Sequence, residues 1–370
     1  MPGEGTEQQG SKLTLRAAGS RVSGPEAPAP ARDPPAPPPA HAGPTTVLVT
    51  GATGFVGAHV VQALSCRGLR VRCLVRATSS LDYLRGWEPE LVRGSVTSFD
   101  QVGRAVQEVD AVVHCAGLTR AHRPEHLFEV NEGGVRSVCE ACLARNPGVR
   151  RIVHISSLAA LGPSAPDRPT DEDQERRPVS DYGRSKLAGH RLAESYMGRL
   201  PVTILIPPAV YGPMDRDFLV VFKLARYGLA LAIGPEPRRL SLIHADDLAR
   251  AVVACLESDR AAGRQYLVED GAAHTWEELA GAMAAALRRE LRTIRLPVWL
   301  AKAAAVLAEG HTARDLRPGV FNPDKLRELL QPAWVCTSAR IRGELGFEPA
   351  LPLARGVEET YRWYRENGWL

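Results

Sequence analysis

The stretch 50–57 constrains the fold of this chain more than any other. It reads Thr-Gly-Ala-Thr-Gly-Phe-Val-Gly, follows the apolar run 46–49 and precedes the helix-compatible segment 58–64. Glycines between a strand and a helix let the backbone turn tightly, and the helix N-terminus favours the negative charge of a pyrophosphate. Because strand, turn and helix come in that order, we interpret the stretch as a dinucleotide-binding turn rather than an ordinary tight turn.

The rest of the chain alternates short apolar runs with longer amphipathic ones. Runs that predict buried parallel strands lie at 71–75, 111–116, 151–156 and 203–207, and those that predict helices lie at 99–107, 126–145 and 182–199. Regular alternation of this kind predicts an α/β fold, a doubly wound Rossmann-type parallel sheet. The pattern turns irregular beyond about Tyr211, which predicts a smaller C-terminal substrate-binding lobe.

We therefore predict three parts. Residues 1–44 form a Pro/Ala-rich tail that cannot bury enough apolar surface to fold, so we expect it to be disordered. Residues 45–210 form the NAD(P)-binding Rossmann domain. Residues 211–370 form a mixed α/β substrate lobe, in which sheet segments near 240–256 return to the Rossmann core.

Composition limits the partners and the location. The 46 basic and 42 acidic residues leave a net charge of +4, too balanced to indicate nucleic acid as a partner. No integral membrane segment is predicted, because no run approaches the roughly 20 apolar residues that span a bilayer. The run that comes nearest to this length, 298–307, contains Lys302 and predicts a core or lobe helix, with a lipid-facing surface as the lesser alternative. No targeting signal is evident, so we expect a cytoplasmic protein with a small-molecule substrate, and a homodimer is one arrangement that the sequence allows.

Tyr182 and Lys186 form the second informative motif. Residues i and i+4 of a helix share a face, so the Lys186 ammonium is expected near the Tyr182 phenol. A free tyrosine has a pKa of about 10, and a nearby positive charge favours the phenolate. The pair therefore predicts a tyrosine that exchanges a proton with an alcohol or a carbonyl.

A serine at the end of the preceding strand supports this interpretation. The predicted strand at 151–156 is followed by Ser157, and the carboxyl ends of parallel strands face the ligand crevice of open α/β sheets. A hydroxyl there can hold the reacting oxygen. The alternative is that Ser156 and Ser157 cap the following helix.

Together these motifs resemble the extended short-chain dehydrogenase/reductase family, of the NAD-dependent epimerase/dehydratase type. The resemblance covers about residues 46–370. Its further marks are the stretches 114–117, 207–213 and 244–249, together with Asn131.

The resemblance implies roles for individual residues. Ser157 would be the catalytic serine, Tyr182 the acid/base, and Lys186 its partner and a ligand of the nicotinamide ribose. Asn131 would be a structural or active-site polar group. The cofactor would contact the glycine turn, the strand ends and the catalytic pair, at Gly51, Thr53, Gly54, Phe55, Val56, Gly57, Arg76, Val96, Ala116, Gly117, Tyr182, Lys186 and Pro207.

The end of the second strand bears on the choice between NADP and NAD. An acidic residue there would bind the ribose hydroxyls of NAD. This chain has Arg76, whose planar guanidinium suits a 2′-phosphate, followed by Ser79 and Ser80. We therefore expect NADP to be preferred over NAD. Ser95 replaces an aspartate that many relatives place near the adenine, which leaves that contact open.

Departures from the best-known subgroups bear on the substrate. Leu158, Ala159 and Ala160 follow Ser157 where dehydratases carry an Asp-Glu pair, so dehydration is not expected. Ala209 and Leu240 stand where nucleotide-sugar epimerases carry an asparagine and an arginine, although Arg238 and Arg239 are close to the second position. We expect an NAD(P)-dependent oxidoreductase that transfers hydride between nicotinamide and a fairly apolar secondary alcohol or ketone.

Two alternatives remain open at this point. The first is a nucleotide-sugar epimerase, which would use the same three residues and keep its cofactor bound. The second is a non-catalytic module that senses NADP(H), although such relatives commonly lose the tyrosine or the lysine.

Overall fold

A seven-stranded parallel sheet forms the centre of the computed structural model, which describes residues 45–165, 167–234, 238–311 and 319–370. The tail predicted at 1–44 lies outside these residues. The strand order is β10-β6-β5-β4-β1-β2-β3. The strands are β1 (Thr46–Thr50), β2 (Arg70–Val75), β3 (Glu90–Arg93), β4 (Ala111–His114), β5 (Arg151–Ile155), β6 (Val202–Ile206) and β10 (Gln265–Leu267).

The central strands are apolar because helices cover both faces of the sheet. Every residue of β1, β4, β5 and β6 is buried, as expected for a doubly covered parallel sheet. The helices of this half are α1 (Phe55–Cys66), α2 (Phe99–Ala105), α3 (Pro124–Asn131), α4 (Gly133–Arg145), α5 (Leu158–Leu161) and α6 (Asp181–Tyr196). The predicted α/β class and doubly wound parallel sheet are confirmed.

Two elements differ from the sequence prediction. The edge strand β3 was not predicted, because three of its four residues are exposed and it lacks an apolar run. The helix predicted at 126–145 is divided into α3 and α4, which meet at Glu132. The division leaves the side chain of Asn131, the last residue of α3, free to bind the loop after β4.

The second half of the chain forms smaller sheets and a cluster of helices. Strand β9 lies between β11 and β13 and also pairs with β7, while β8 pairs with β12. These strands are β7 (Ala209–Tyr211), β8 (Leu229–Ile233), β9 (Arg239–His244), β11 (Ala273–Thr275), β12 (Arg292–Leu296) and β13 (Ala333–Trp334). The helices are α7 (Arg216–Ala225), α8 (Ala245–Glu257), α9 (Trp276–Leu287), α10 (Val298–His311), α11 (Pro323–Leu329), α12 (Ala339–Leu345) and α13 (Leu353–Glu366).

The two halves interleave. Strand β10 pairs with β6 as the last strand of the parallel sheet, and α8 packs against α1, so residues such as Leu248 and Val252 share a core with Val60 and Val61. Strand β9 belongs to the second sheet. The described residues from Thr45 to Leu370 form one compact unit, and the boundary between 210 and 211 stays a prediction.

No helix in the described parts of the chain is both long enough and apolar enough to cross a bilayer.

Candidate active site

The strand order reverses between β1 and β4, and the glycine turn lies at this point. Gly51 follows β1 with a φ of +71°, a left-handed conformation that favours glycine. A Cβ added to Gly51 would lie 2.6 Å from the Ala116 nitrogen, and one added to Gly57 would lie 2.2 Å from the Gly51 oxygen. Side chains are excluded at both positions, and the crevice at such a reversal is where open α/β sheets bind ligands.

The first turn of α1 is open to an anion. Gly54 is its N-cap, no side chain caps it, and no acidic residue lies in its first turn, which starts with Phe55 and Val56. Thr53 completes the turn before it. Uncapped N–H groups and the helix dipole favour a negative charge at this end. These features fit the pyrophosphate of a nicotinamide dinucleotide.

The ends of the neighbouring strands border the same crevice. The Ala116 N–H donates to the Thr50 hydroxyl at 3.4 Å, which places 116 and the exposed Gly117 beside the turn. Pro207, after β6, is buried and accepts a hydrogen bond from the Leu158 N–H at 2.8 Å. The structure therefore brings these three predicted cofactor residues to the carboxyl edge of the sheet.

Two arginines lie at the outer end of this edge. Arg76 directly follows β2 and is exposed, and the Arg93 guanidinium donates to its carbonyl oxygen at 3.2 Å. Val96 lies half-buried against α4, 3.4 Å from a Cβ built on Gly134. Arg93 was not predicted, because no apolar run in the sequence marks strand β3.

Ser157, Tyr182 and Lys186 lie together at the end of β5. Ser157 caps α5, accepting the Ala159 N–H at 3.2 Å, and its side chain lies close enough to Tyr182 to lower the pKa of the phenol. The Lys186 ammonium donates to the Ile155 carbonyl at 2.7 Å. The capping predicted as one alternative for Ser157 is therefore present, and its contact with the reacting oxygen stays a prediction.

The electrostatics of the tyrosine differ from expectation. Burial raises the pKa of Tyr182, and this effect outweighs that of the nearby Ser157 side chain, which lowers it. The positive charge that lowers the phenol pKa here belongs to Lys325 of α11, while Glu328 and Asp217 raise it. The expected lowering of this pKa below its ordinary value is therefore not found, because desolvation of the phenolate dominates.

Lys186 is buried among uncharged groups. Burial lowers its pKa to about 8. Beneath it, the rings of His114 and His154 stack with centroids 5.4 Å apart. Burial, reinforced by the Lys186 charge, lowers the pKa of His114 to about 3 and that of His154 well below its ordinary value. Both imidazoles are therefore neutral at physiological pH, and Lys186 is the charged group of this region.

Helix α11 holds the N-terminus of α6. The Asp324 carboxylate accepts the N–H groups of Asp181 at 2.8 Å and of Tyr182 at 3.1 Å, and the Ser180 hydroxyl donates to Glu328 at 2.6 Å. Negative charge at a helix N-terminus is stabilising. These contacts fix the backbone that carries the tyrosine.

Ion pairs from three segments surround the phenol. Lys325 pairs with Glu328 at 2.8 Å, and both oxygens of Asp217 accept from Arg120 at 2.8 Å. Sequence reasoning missed these residues. Asn322 followed by Pro323 is a helix-start signal that indicates α11, but nothing local indicates that α11 packs on α6.

Asn131 has a structural role. Its amide donates to the Leu118 carbonyl at 2.9 Å and to the Ser185 hydroxyl at 2.8 Å, and its oxygen accepts the Leu118 N–H at 2.8 Å. The side chain thus ties the loop after β4 to α6.

Comparison with known proteins places this geometry in a family. The model of the NAD dependent epimerase/dehydratase family matches residues 47–268. The chain belongs to this family. It is 34% identical to a ceramide reductase of Caulobacter vibrioides over 88% of this chain and 96% of the relative. It is 31% identical to sterol demethylase protein B of Methylococcus capsulatus over 87% and 99%.

A solved structure shares the fold. The UDP-glucose 4-epimerase of Thermus thermophilus, crystallised with NAD, superposes with a TM-score of 0.69 over 86% of this chain and 99% of that one, at 23% identity. The curated relatives of this epimerase/dehydratase member include reductases and epimerases. The chain is therefore a nicotinamide-dependent enzyme of the extended short-chain type, a reductase or an epimerase.

The two positions at which the sequence departs from nucleotide-sugar epimerases lie in the second sheet. Ala209 is exposed at the start of β7, and Leu240 is in β9. Arg238 donates to the Ile233 carbonyl. Its guanidinium is thus engaged with the backbone of its own lobe.

Proposed function

We propose that this family member reduces a ketone, or oxidises the matching secondary alcohol, on a largely apolar molecule, with NADP(H) as the preferred cofactor. The observation that carries the proposal is that Ser157 and Tyr182 lie next to each other, with Lys186 at the same strand end. When bound, the nicotinamide supplies or accepts the hydride.

The residues present fit this cofactor. Gly51 and Gly57 leave space that a Cβ would fill, and α1 presents an uncapped N-terminus. The Lys186 ammonium has three donors, of which one binds Ile155, so a ribose hydroxyl can take another. Ala116, Gly117 and Pro207 would line the nicotinamide side of the crevice.

The three residues divide the proton chemistry. The Tyr182 phenol, protonated at neutral pH, donates its proton to the ketone oxygen during reduction and recovers it from the alcohol in the reverse direction. The Ser157 hydroxyl holds the same oxygen. The Lys186 charge stabilises negative charge that develops there.

The proposed substrate class follows from the residues beside the serine and from the relatives. Ser157 is followed by the buried, apolar α5, which offers no acid for elimination of water. The two curated relatives above carry names that refer to lipids, a ceramide and a sterol. An apolar ketone with one reacting oxygen fits both facts.

Replacing the proposed proton donor tests the assignment. We expect Tyr182→Phe to lower the kcat for a long-chain ketone or a ketosteroid at least about 100-fold while leaving the Kd for NADPH unchanged. NADPH oxidation measures the former and fluorescence titration the latter. Tyr227→Phe is the matched control, because that phenol is 74% exposed.

Two results would contradict the proposal. Turnover by Tyr182→Phe at the wild-type rate would remove the tyrosine from the reaction. Turnover of UDP-glucose without added cofactor, by protein that purifies with NAD bound, would make it an epimerase.

The preference for NADP rests on Arg76. The Arg76 side chain is exposed at the end of β2, and Arg93 donates to the Arg76 backbone carbonyl. No acidic residue lies at this strand end, where one would bind the ribose hydroxyls of NAD. A guanidinium fork binds a 2′-phosphate through charge-assisted hydrogen bonds.

We expect Arg76→Ala to raise the Kd for NADPH at least about tenfold and to leave the Kd for NADH within a factor of two. Arg85→Ala is the control, since Arg85 is exposed nearby and pairs with Asp82. An unchanged ratio of the two Kd values in Arg76→Ala would assign that arginine to the solvated surface.

A further inference from the structure

The outer face of α10 is apolar. It consists of Trp299, Leu300, Ala303, Val306 and Leu307, and the side chains of Trp299, Val306 and Leu307 are 71%, 61% and 74% exposed. At about 100° per residue these positions form a continuous arc of roughly 120°. The opposite side, with Ala301 and Ala305, is buried against Leu326 of α11.

The orientation of α10 is the reverse of that of most surface helices. A surface helix of a globular protein turns its apolar stripe to the core and its charges outward. In α10 the small alanines face the core and the large apolar side chains face out, with Lys302 at the margin of the arc. Contiguous exposed apolar surface of this kind marks an interaction site.

A basic segment leads into this face. Residues 288–302 contain five basic residues and one acidic residue, a net charge of +4, equal to that of the whole 370-residue chain. All six charged residues are exposed: Arg288, Arg289, Glu290, Arg292, Arg295 and Lys302. Within this segment β12 also exposes Ile294, at 37%. Positive charge therefore adjoins the apolar arc.

We infer that the protein docks peripherally on a lipid bilayer that contains anionic lipids, through the outer face of α10 and the basic segment 288–302. Apolar side chains with a tryptophan enter the boundary between headgroups and acyl chains, and basic residues bind the anionic headgroups. Lys302 can extend its ammonium to the headgroups while its methylene chain lies along the apolar layer.

The dimensions favour lying on the bilayer over crossing it. Helix α10 has 14 residues, or about 21 Å, against the roughly 30 Å of a hydrocarbon core. A second copy of this chain is less suited to bind this face, because a twofold interface brings the same surface of both copies together, and that surface is basic. An anionic bilayer complements both the apolar arc and its charge.

The docking face lies one helix away from the proposed proton donor. Helix α10 packs on α11, and Asp324 of α11 binds the backbone of Tyr182. Bilayer contact through α10 would bring a membrane-dissolved ketone to this side of the protein. This use of the surface rests on the proposed function, whereas bilayer binding itself does not.

Vesicle flotation with the full chain tests the inference. We expect the wild type to float with vesicles of phosphatidylcholine containing about one third phosphatidylglycerol, and to float at least fivefold less with phosphatidylcholine alone or in 0.5 M salt. Val306→Glu combined with Leu307→Glu should reduce flotation at least tenfold. Arg292→Glu combined with Lys302→Glu should abolish the preference for the anionic vesicles.

Leu91→Glu is the matched control, since Leu91 is 39% exposed on the edge strand β3, in the other half of the chain. It should float as the wild type does. Far-UV circular dichroism and NADPH titration establish that each variant is folded, and light scattering after size exclusion gives its oligomeric state.

Two outcomes overturn the inference. One is wild-type protein that stays in the lipid-free fraction with anionic vesicles. The other is a wild-type dimer that the α10 double variant converts to a monomer without any vesicle binding, which would make this face a contact between copies. Flotation involves neither substrate nor cofactor, so its failure and that of the Tyr182→Phe experiment are distinguishable.

Discussion

The residues around the Tyr182 phenol carry a mixture of charges from distant parts of the chain. Lys325 lowers the pKa of the phenol, while Glu328 and Asp217 raise it. Lys325 is half exposed and pairs with Glu328 at 2.8 Å. Removing this ammonium therefore removes a favourable charge and leaves an unfavourable one.

We expect Lys325→Met to shift the pH profile of alcohol oxidation to higher pH and to lower kcat/KM severalfold at pH 7. The physical reason is that oxidation needs the phenolate, whose pKa rises when the Lys325 charge is lost. The measurement is kcat/KM against pH with NADP in excess.

Lys325→Arg separates charge from packing, because it keeps the positive charge and should keep the pH profile. An unchanged profile in Lys325→Met would show that this ammonium does not act on the reacting phenol.

Among the elements, the turn between β1 and α1 tolerates the least change. A Cβ added at Gly51 or at Gly57 would meet backbone atoms, and backbone cannot move aside as a flexible side chain can. Gly133, at the start of α4, has no heavy atom within 4 Å of an added Cβ. Gly133→Ala therefore makes the same substitution at a position that has space for the added methyl group.

We expect Gly57→Ala to lower the free energy of unfolding by about 1–3 kcal/mol and to weaken NADPH binding at least tenfold, because its Cβ would lie 2.2 Å from the Gly51 oxygen. Urea unfolding and fluorescence titration measure the two effects. Gly133→Ala should change neither, and equal behaviour of the two variants would contradict the tight packing of the turn.

Helix α6 shows how one element depends on another. Its own sequence supplies Ser180 as N-cap, whose hydroxyl accepts the Gly183 N–H at 2.9 Å. The remaining N–H groups of the first turn are bound by Asp324, more than 140 residues away in the chain. The position of Tyr182 is therefore set by α6 and α11 together.

The C-terminal segment packs against the start of α7. The Tyr364 hydroxyl donates to the Asp215 carbonyl at 2.5 Å, and the Arg216 guanidinium lies 5.0 Å from the centre of the Trp369 ring. Asp215 itself is buried and caps α7 through the Asp217 N–H at 2.8 Å. The ionisable side chain of Asp215 thus lies where α7 meets the C-terminal segment.

Asp215 makes stability depend on pH. Burial, and then the charge of Asp217, raise its pKa from 3.8 to about 7, against the smaller opposing effects of the backbone hydrogen bonds from Asp217 and Phe218 and of the Arg120 charge. Between these two values the folded chain keeps a proton that the unfolded chain has lost, so the free energy of unfolding falls as pH rises through this window.

We expect the wild type to lose stability relative to Asp215→Asn between pH 4 and pH 7.5, by on the order of a few kcal/mol, because asparagine carries no charge to bury and its oxygen can still cap α7. Urea unfolding of both proteins at several pH values gives this difference. A difference that does not change with pH would show that Asp215 is ionised without cost.

The features that depend on local backbone periodicity can be predicted from the sequence alone. The strand–turn–helix at 46–64, the alternation that gives the parallel sheet, and the spacing of Tyr182 and Lys186 on one helix all follow from patterns within a few residues. The place of the serine that follows β5 can be predicted in the same way, because a parallel strand carries the residue after it to the ligand edge of the sheet.

The surroundings of these features, in contrast, depend on tertiary packing. The raised pKa of Tyr182 reflects burial and the charges of Asp217 and α11, and the apolar side of α10 faces outward although its sequence also suits a buried helix. Burial and charge contacts depend on which surfaces meet. Which surfaces meet is determined by packing between segments more than 100 residues apart in the chain, and a single sequence carries no local signal for such packing.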